Sequence, residues 1–274
     1  MSVPQPFDLV PLPEPVRLNV PGRVVLRDNI FALVDAIAED VLEVALHSSA
    51  QRGTFHLGVS LTPVTEQVFR RLLMDNSMHA LPWDRTHVWL TDDAPGPGSA
   101  EPPSEGFREF LADHAGVPPD QVHMPLAHLK DEAASHYADR LNAVLQREGR
   151  IHGFDFAAVT LGSSGVVGVQ PPQQVCGAPA HRIQAAEATW TAVHPSIFHQ
   201  SRRVAIVSPD VPALGFVKSL KREWGTATEV PTGWGHVRPE SPDRLTWYVN
   251  IESGDTDGRP EHNRRRPGKD RSPS

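Results

Sequence analysis

The 274-residue chain is 39% hydrophobic and 22% charged, the balance of a globular protein with a full core. Its formal charge of −7 argues against a nucleic-acid surface, and no apolar run approaches the roughly 20 residues that span a bilayer. Cys176 is the single cysteine, which excludes an internal disulfide and a cysteine-based metal site. The N-terminus lacks the basic region and cleavage site of a signal peptide, so the expectation is a soluble cytoplasmic protein with no nucleic-acid or membrane partner.

Residues 1 to about 22 are proline-rich and predict an extended arm. Val24-Val25-Leu26 reads as a short strand, and Asp28 as the N-cap of a long helix whose Leu33, Val34, Ile37, Val41, Leu42 and Leu46 keep helical spacing. Phe55 to Leu61 alternates as a strand. Thr62-Pro63 supplies a cap and a first-turn proline for a helix over Val64 to Leu73. Thr86 to Thr91 is a second strand ending in Asp92-Asp93, followed by a loop rich in proline and glycine. Helical patterns recur over Gly106 to His114 and Asp131 to Glu148. The strand Phe154 to Leu161 runs into the loop Gly162-Ser163-Ser164-Gly165, and Pro171 to Ala180 is a further proline-rich loop. Arg203 to Val207 is a strand, Ala213 to Glu223 a helix and Leu245 to Val249 the last strand. Strands alternating with helices imply a mainly parallel sheet covered on both faces, a doubly wound α/β domain over residues 23–252. Residues 253–274 hold almost no apolar side chains and predict a disordered tail, whose Arg264-Arg265-Arg266 reads as solvated or as a contact for an anion or a membrane surface.

The residues that carry chemistry allow several readings. Gly162-Ser163-Ser164-Gly165 nearly forms the G-x-S-x-G elbow of serine hydrolases, with Asp210 and His236 following in hydrolase order. Val166 stands where the elbow needs a small residue, so structural glycines are the better reading. Fourteen histidines raise the question of a metal, yet no pair shows the H-E-x-x-H pattern, and no metal or cofactor is expected. Asp92 and Asp93 read as a water- or hydroxyl-binding pair or as a solvated strand end. Trp247 lies in an alternating strand and reads as core.

Five segments in order resemble the 6-phosphogluconolactonase family, relatives of glucosamine-6-phosphate deaminase. They are FHLGVSLTPVTEQVFRRL, PWDRTHVWLTDD, GVPPDQVHMP, GFDFAAVTLGSSG and DRLTWYVN. The resemblance implies a NagB/RpiA-like fold, a sugar phosphate ligand, and hydrolysis of 6-phosphoglucono-δ-lactone by the active members. It places Ser60, Thr62, Gly162, Ser163, Ser164 and Gly165 on the substrate and phosphate side. It also shows departures. Val166 takes the position of the family's histidine base and Ser164 that of its acid, while Ala94 replaces an arginine. Val59 and Ser60 replace two phosphate-loop glycines, and Pro212 falls near a lysine position. A valine accepts no proton, and general acid–base help is worth about 10²–10⁴-fold in rate. The expectation is a catalytically impaired relative that binds a sugar phosphate or a pentose phosphate pathway enzyme. The alternative is an active lactonase with rearranged groups, using Asp92, His194 or His199.

Overall fold

The computed structural model describes residues 18–93, 104–126, 129, 132–148, 153–161, 180–185, 188–220 and 237–251. The elements run β1 (Arg23–Arg27), α1 (Ile30–Arg52), β2 (Phe55–Ser60), α2 (Pro63–Met74), β3 (Thr86–Asp92), α3 (Ser104–Ala115) and β4 (Val122–His123). They continue as α4 (Ala133–Arg147), β5 (Phe156–Thr160), β6 (Ala180–Ala185), β7 (Ala188–Val193), α5 (Pro195–Gln200), β8 (Val204–Ser208), α6 (Val211–Ser219) and β9 (Leu245–Asn250). The expected arm (up to residue 17), the loop after Asp93, the Gly162–Val166 loop, Pro171–Pro179, the stretch to Glu223 and the tail from Glu252 lie outside the described residues.

The strands form one sheet in the order β1-β9-β8-β5-β2-β3-β7-β6, with β4 on β3. β1, β9, β8, β5, β2, β3 and β4 are parallel to one another, and β7 runs antiparallel to β3. Successive residues of each strand point to opposite faces, and the burial follows that rule. Leu57, Val59, Val88, Leu90, Ala158 and Val207 join α1, α2 and α3 in one core. Trp89, Ala157, Val159, Ile206 and Trp247 join α4, α5 and α6 in the other. This is the doubly wound α/β arrangement expected from the alternation of elements.

Several expectations need correction. The N-cap of α1 is Asn29, whose Oδ1 accepts the Ala32 N–H at 2.8 Å, and Asp28 instead accepts from the Asn29 amide. The first position of α6 is Val211, because Asp210 caps it through the Ala213 N–H at 2.9 Å, and the helix ends at Ser219. Ala180, assigned to a loop, opens the antiparallel hairpin β6–β7, which extends the parallel sheet beyond β3. Val20 is buried and Pro21 accepts a hydrogen bond from Trp247 Nε1 at 2.7 Å, so the last residues of the expected arm pack on the core.

One glycine is dictated by packing. A Cβ at Gly58 would stand 2.4 Å from the fully buried ring of Phe154, so β2 passes that ring only without a side chain.

Candidate functional site

In a doubly wound sheet, ligands bind beyond the C-terminal strand ends where the strand order reverses. Here β2 sits between β3 and β5, so the reversal lies between β2 and β5. At that point Thr62 and Thr160 meet through their hydroxyls at 2.8 Å. The loop that follows β5 and Leu161, carrying Gly162, Ser163, Ser164, Gly165 and Val166, is outside the described residues.

The carboxylates stand one strand over. Between Val59 and Ser60 the register of β2 against β3 slips, so that Ser60 faces Asp92 and Thr91 is skipped. Such a bulge re-aims side chains at a strand end. Asp92 accepts from Thr91 Oγ1 at 3.1 Å and is also hydrogen-bonded by Ser60. It is 7% exposed. Burial pushes its pKa up to about 6, the two hydroxyls pull the other way, and the neighbouring Asp93 charge adds to the rise. Asp93 is held by Ser104 Oγ at 2.9 Å, at the start of α3. Tyr137 donates to the Leu90 carbonyl at 2.7 Å, and burial followed by the Asp93 and Asp92 charges raises its pKa well above the usual phenol value. Ser208, at the C-terminal end of β8, has a buried hydroxyl with no hydrogen-bond partner among the described residues.

The start of α2 is less open to an anion than the sequence suggests. Helix N-termini hold phosphates through unsatisfied N–H groups. Pro63 has none, the Thr62 N–H goes to Thr65 Oγ1 at 2.9 Å, and the Thr65 N–H goes back to Thr62 Oγ1 at 3.4 Å. A capping box thus occupies donors that a phosphate would use.

The two candidate histidines follow β7, and His199 lies at the opposite end of the sheet from Asp92. β7 runs opposite to β3 with Ala192 beside Asp92, so each later residue steps away from the C-terminal end. His194 becomes the N-cap of α5, its Nδ1 accepting the Ser196 N–H at 3.2 Å, and burial lowers its pKa. His199 is exposed near the end of α5, which continues to Ser201, whose Oγ accepts the Phe154 N–H before β5 begins. That is the N-terminal end of the sheet. Asp210, the acid of the serine-hydrolase reading, is a helix cap, while Ser164 and His236 lie outside the described residues.

Sequence reasoning missed a second polar cluster, lower on β2 and β3. His56, His87 and Glu148 present ligand-type atoms within 4.8 Å of one another. Their hydrogen bonds have a fixed direction. Trp89 Nε1, which can only donate, points at His56 Nδ1 at 3.0 Å, so a neutral His56 carries its proton on Nε2, 2.9 Å from Glu148 Oε2. Arg140 Nε donates to His123 Nδ1 at 3.3 Å, so His123 Nε2 donates to His87 Nδ1 at 2.9 Å. His87 then turns its own Nε2–H toward Glu148 Oε1 at 3.7 Å. Thr54 completes the carboxylate's donors at 2.5 Å. Burial, then the charges of His87, Arg140 and His56, press the His123 pKa down to about 2, with Glu148 opposing. The donor types fit a metal, but an ion on His56 Nε2 would have to displace a proton whose alternative site faces Trp89 N–H. The cluster satisfies itself. It spans residues 92 positions apart, so no local spacing announced it.

A mainly parallel sheet with a polar C-terminal rim at its order reversal defines the class of doubly wound α/β proteins, in which ligands lie at that rim. The chain belongs to the family described as glucosamine-6-phosphate isomerases/6-phosphogluconolactonase, whose pattern matches residues 28–168. It is similar to the GDH/6PGL endoplasmic bifunctional proteins of Oryctolagus cuniculus, 24% identical over 92% of this chain, and Homo sapiens, 23% identical over 91%. It spans about a third of the length of these relatives, 33% of each. Its fold matches the crystal structure of 6-phosphogluconolactonase from Thermotoga maritima, with a TM-score of 0.68 at 15% identity, covering 84% of this chain and 99% of that one. The Trypanosoma cruzi 6-phosphogluconolactonase gives 0.66 at 15% identity, covering 84% and 95%. No helix among the described residues is long and apolar enough to cross a membrane.

Proposed function

We propose that this chain is a catalytically impaired relative, which hydrolyses 6-phosphoglucono-δ-lactone poorly or not at all and holds a sugar phosphate at the C-terminal ends of β2, β3 and β5 more weakly than a helix start with free donors would. The observation that carries this reading is the start of α2. The capping box and Pro63 take up the Thr62, Pro63 and Thr65 positions from which a phosphate would be held, and among the described residues the acidic groups buried at these strand ends are Asp92 and Asp93. Ser60, Thr62 and the Gly162-Ser163-Ser164-Gly165 loop are the residues assigned to the ligand. The absence of a histidine follows from the sequence, where Val166 holds the position of the family's base. A cytoplasmic location and an association with an enzyme of the pentose phosphate pathway belong to the same reading. The latter is supported by the relatives, whose name joins the two activities in one chain.

A second reading rests on one specific feature. Asp92, buried and with a pKa near 6, is poised as a general base at neutral pH. In an active lactonase it would take the proton of the attacking water. The deciding experiment is hydrolysis of freshly generated 6-phosphoglucono-δ-lactone by the purified chain, against the spontaneous rate. A rate at background supports the impaired reading. A rate well above it, rising with pH through about 6 and lost in Asp92→Asn, overturns that reading in favour of the second.

A further inference from the structure

At the opposite end of the sheet, the strand beginnings and the last turns of α1 enclose an open cavity of about 440 Å³. Three arginines line it: Arg202 and Arg203 at the start of β8 and Arg244 at the start of β9. Arg203 Nη1 is buried and has no hydrogen-bond partner among the described residues. Arg202 makes no ion pair among them, and Arg244 is tied only to Glu240 at 3.1 Å, a pair with side chains 38% and 64% exposed. Such a rim pair is weak and easily redirected.

The acidic groups nearby do not satisfy these cations. Asp155, on the cavity wall, is fully buried and already bound by Arg52 and by the His56 N–H at 2.9 Å. Asp40, the buried carboxylate beside Tyr248, is shared by Arg23 at 2.9 Å and the Tyr248 hydroxyl. Arg203 acts on Tyr248 only through its charge. Glu43 and Asp243 lie on the exposed rim. Main-chain contacts fix the arginines' origin, with the Arg203 carbonyl accepting from Ala157 at 2.9 Å and the Arg202 N–H donating to Phe154 at 2.9 Å. A buried guanidinium donor without an acceptor is rare in native proteins unless something else supplies one.

We propose that this cavity is a second binding site, for a phosphate-bearing small molecule, with Arg203 and Arg202 as the recognising groups. A guanidinium pair suits a phosphate because its planar N–H forks match two oxygens at once. The site lies at the N-terminal ends of the strands, remote from Asp92 and Thr62 and independent of what they bind.

The test uses the full chain in a phosphate-free buffer and inorganic phosphate or pyrophosphate as probe, with sodium chloride at matched ionic strength. Ligand linkage gives a Tm rise of about 5–11 °C when phosphate is a hundredfold above its Kd. Arg203→Met removes an unsatisfied donor, so without phosphate its Tm is expected to equal or exceed that of the native chain. Its phosphate response should shrink at least tenfold in Kd, and so should that of Arg202→Gln, whose exposed position keeps folding out of the question. Arg71→Met, which removes a cation that does not line the cavity, should keep the full response. A phosphate response undiminished in both arginine variants, a response matched by chloride, or an Arg203→Met Tm well below native would each overturn the proposal.

Discussion

Two buried groups of opposite habit set the pH dependence of this fold, and their substitution separates them. Asp92 titrates near 6 in the fold against an ordinary value of 3.8, so the fold prefers its neutral form. That preference is fully present below pH 4 and is lost as pH rises through 6, a difference of about 3 kcal/mol at 1.36 kcal/mol per unit. His123, 3% exposed, sits near 2 against an ordinary 6.5, so the fold prefers the neutral imidazole. Its contribution is whole above pH 6.5 and falls by about 1.4 kcal/mol for each unit of acidification. Between pH 4 and 6 the two slopes oppose each other and nearly cancel. Asp92→Asn should therefore stabilise the chain by up to about 3 kcal/mol at pH 8 and by almost nothing at pH 4, leaving the acid lability of His123 exposed. His123→Gln, which keeps a hydrogen-bonding side chain, should lose its packing on Trp89 at pH 7 yet recover about 3 kcal/mol relative to the native chain at pH 4.5. Urea unfolding followed by tryptophan fluorescence at pH 4.5, 6 and 8 measures both differences. An Asp92→Asn effect that is the same at pH 4.5 and pH 8 would refute the assignment of Asp92 as a strained, buried carboxylate.

Other expectations follow from single contacts. Gly58→Ala drives a methyl into Phe154 and should cost about 1–3 kcal/mol, seen as a lower urea midpoint with an unchanged slope. Arg52→Met removes the charge partner of the fully buried Asp155 and should cost about 3–5 kcal/mol, whereas Arg71→Met, which breaks half-exposed pairs with Asp35 and Asp75, should cost under about 1 kcal/mol. An equimolar addition of Zn²⁺ should leave the Tm unchanged, because both Nε2 atoms facing Glu148 carry protons. One equivalent of zinc retained through dialysis would contradict that proton assignment.

The parts of the fold legible in the sequence are those with strong periodicity or an apolar run. β5 and β8 sit centrally and read as near-continuous apolar segments, β2 and β9 as alternating ones, and α1 and α2 carry clear apolar stripes, with the Thr62 cap of α2 also legible. The β6–β7 hairpin escaped because AHRIQA and ATWTAV are rich in alanine and threonine and lack the branched run that marks a strand. α5 escaped because it spans six residues, too short to show a period. Asp92, Ser60 and Thr62 could be placed at the C-terminal rim because they lie at ends of legible elements. The placement of His194 and His199 was not legible, since it depends on β7 running against β3. Nor was the Glu148 cluster, which joins a helix end to the middle of the sheet over a long sequence separation.

The distribution of charge explains how such a chain keeps the family's frame while changing its rim. Parallel strands place the positive N-terminal ends of their following helices at the C-terminal end of the sheet, which favours an anion there. In this chain that preference is met internally. Asn29, Thr62 and Asp210 cap α1, α2 and α6, and Ser104 at the start of α3 ties down Asp93. Asp92 adds a carboxylate whose pKa is raised by burial rather than lowered by any cation. Four arginines stand at the other end, where Arg52 holds Asp155 and Arg202, Arg203 and Arg244 line the cavity. Core residues such as Trp89, Phe154 and Trp247 contribute to neither rim, so the packing that defines the fold is insensitive to this exchange. Among the described residues, an anion entering the C-terminal rim meets capped helices and an acidic pair, while one entering at the N-terminal end meets Arg203, whose Nη1 is buried without an acceptor, beside the more exposed Arg202 and Arg244.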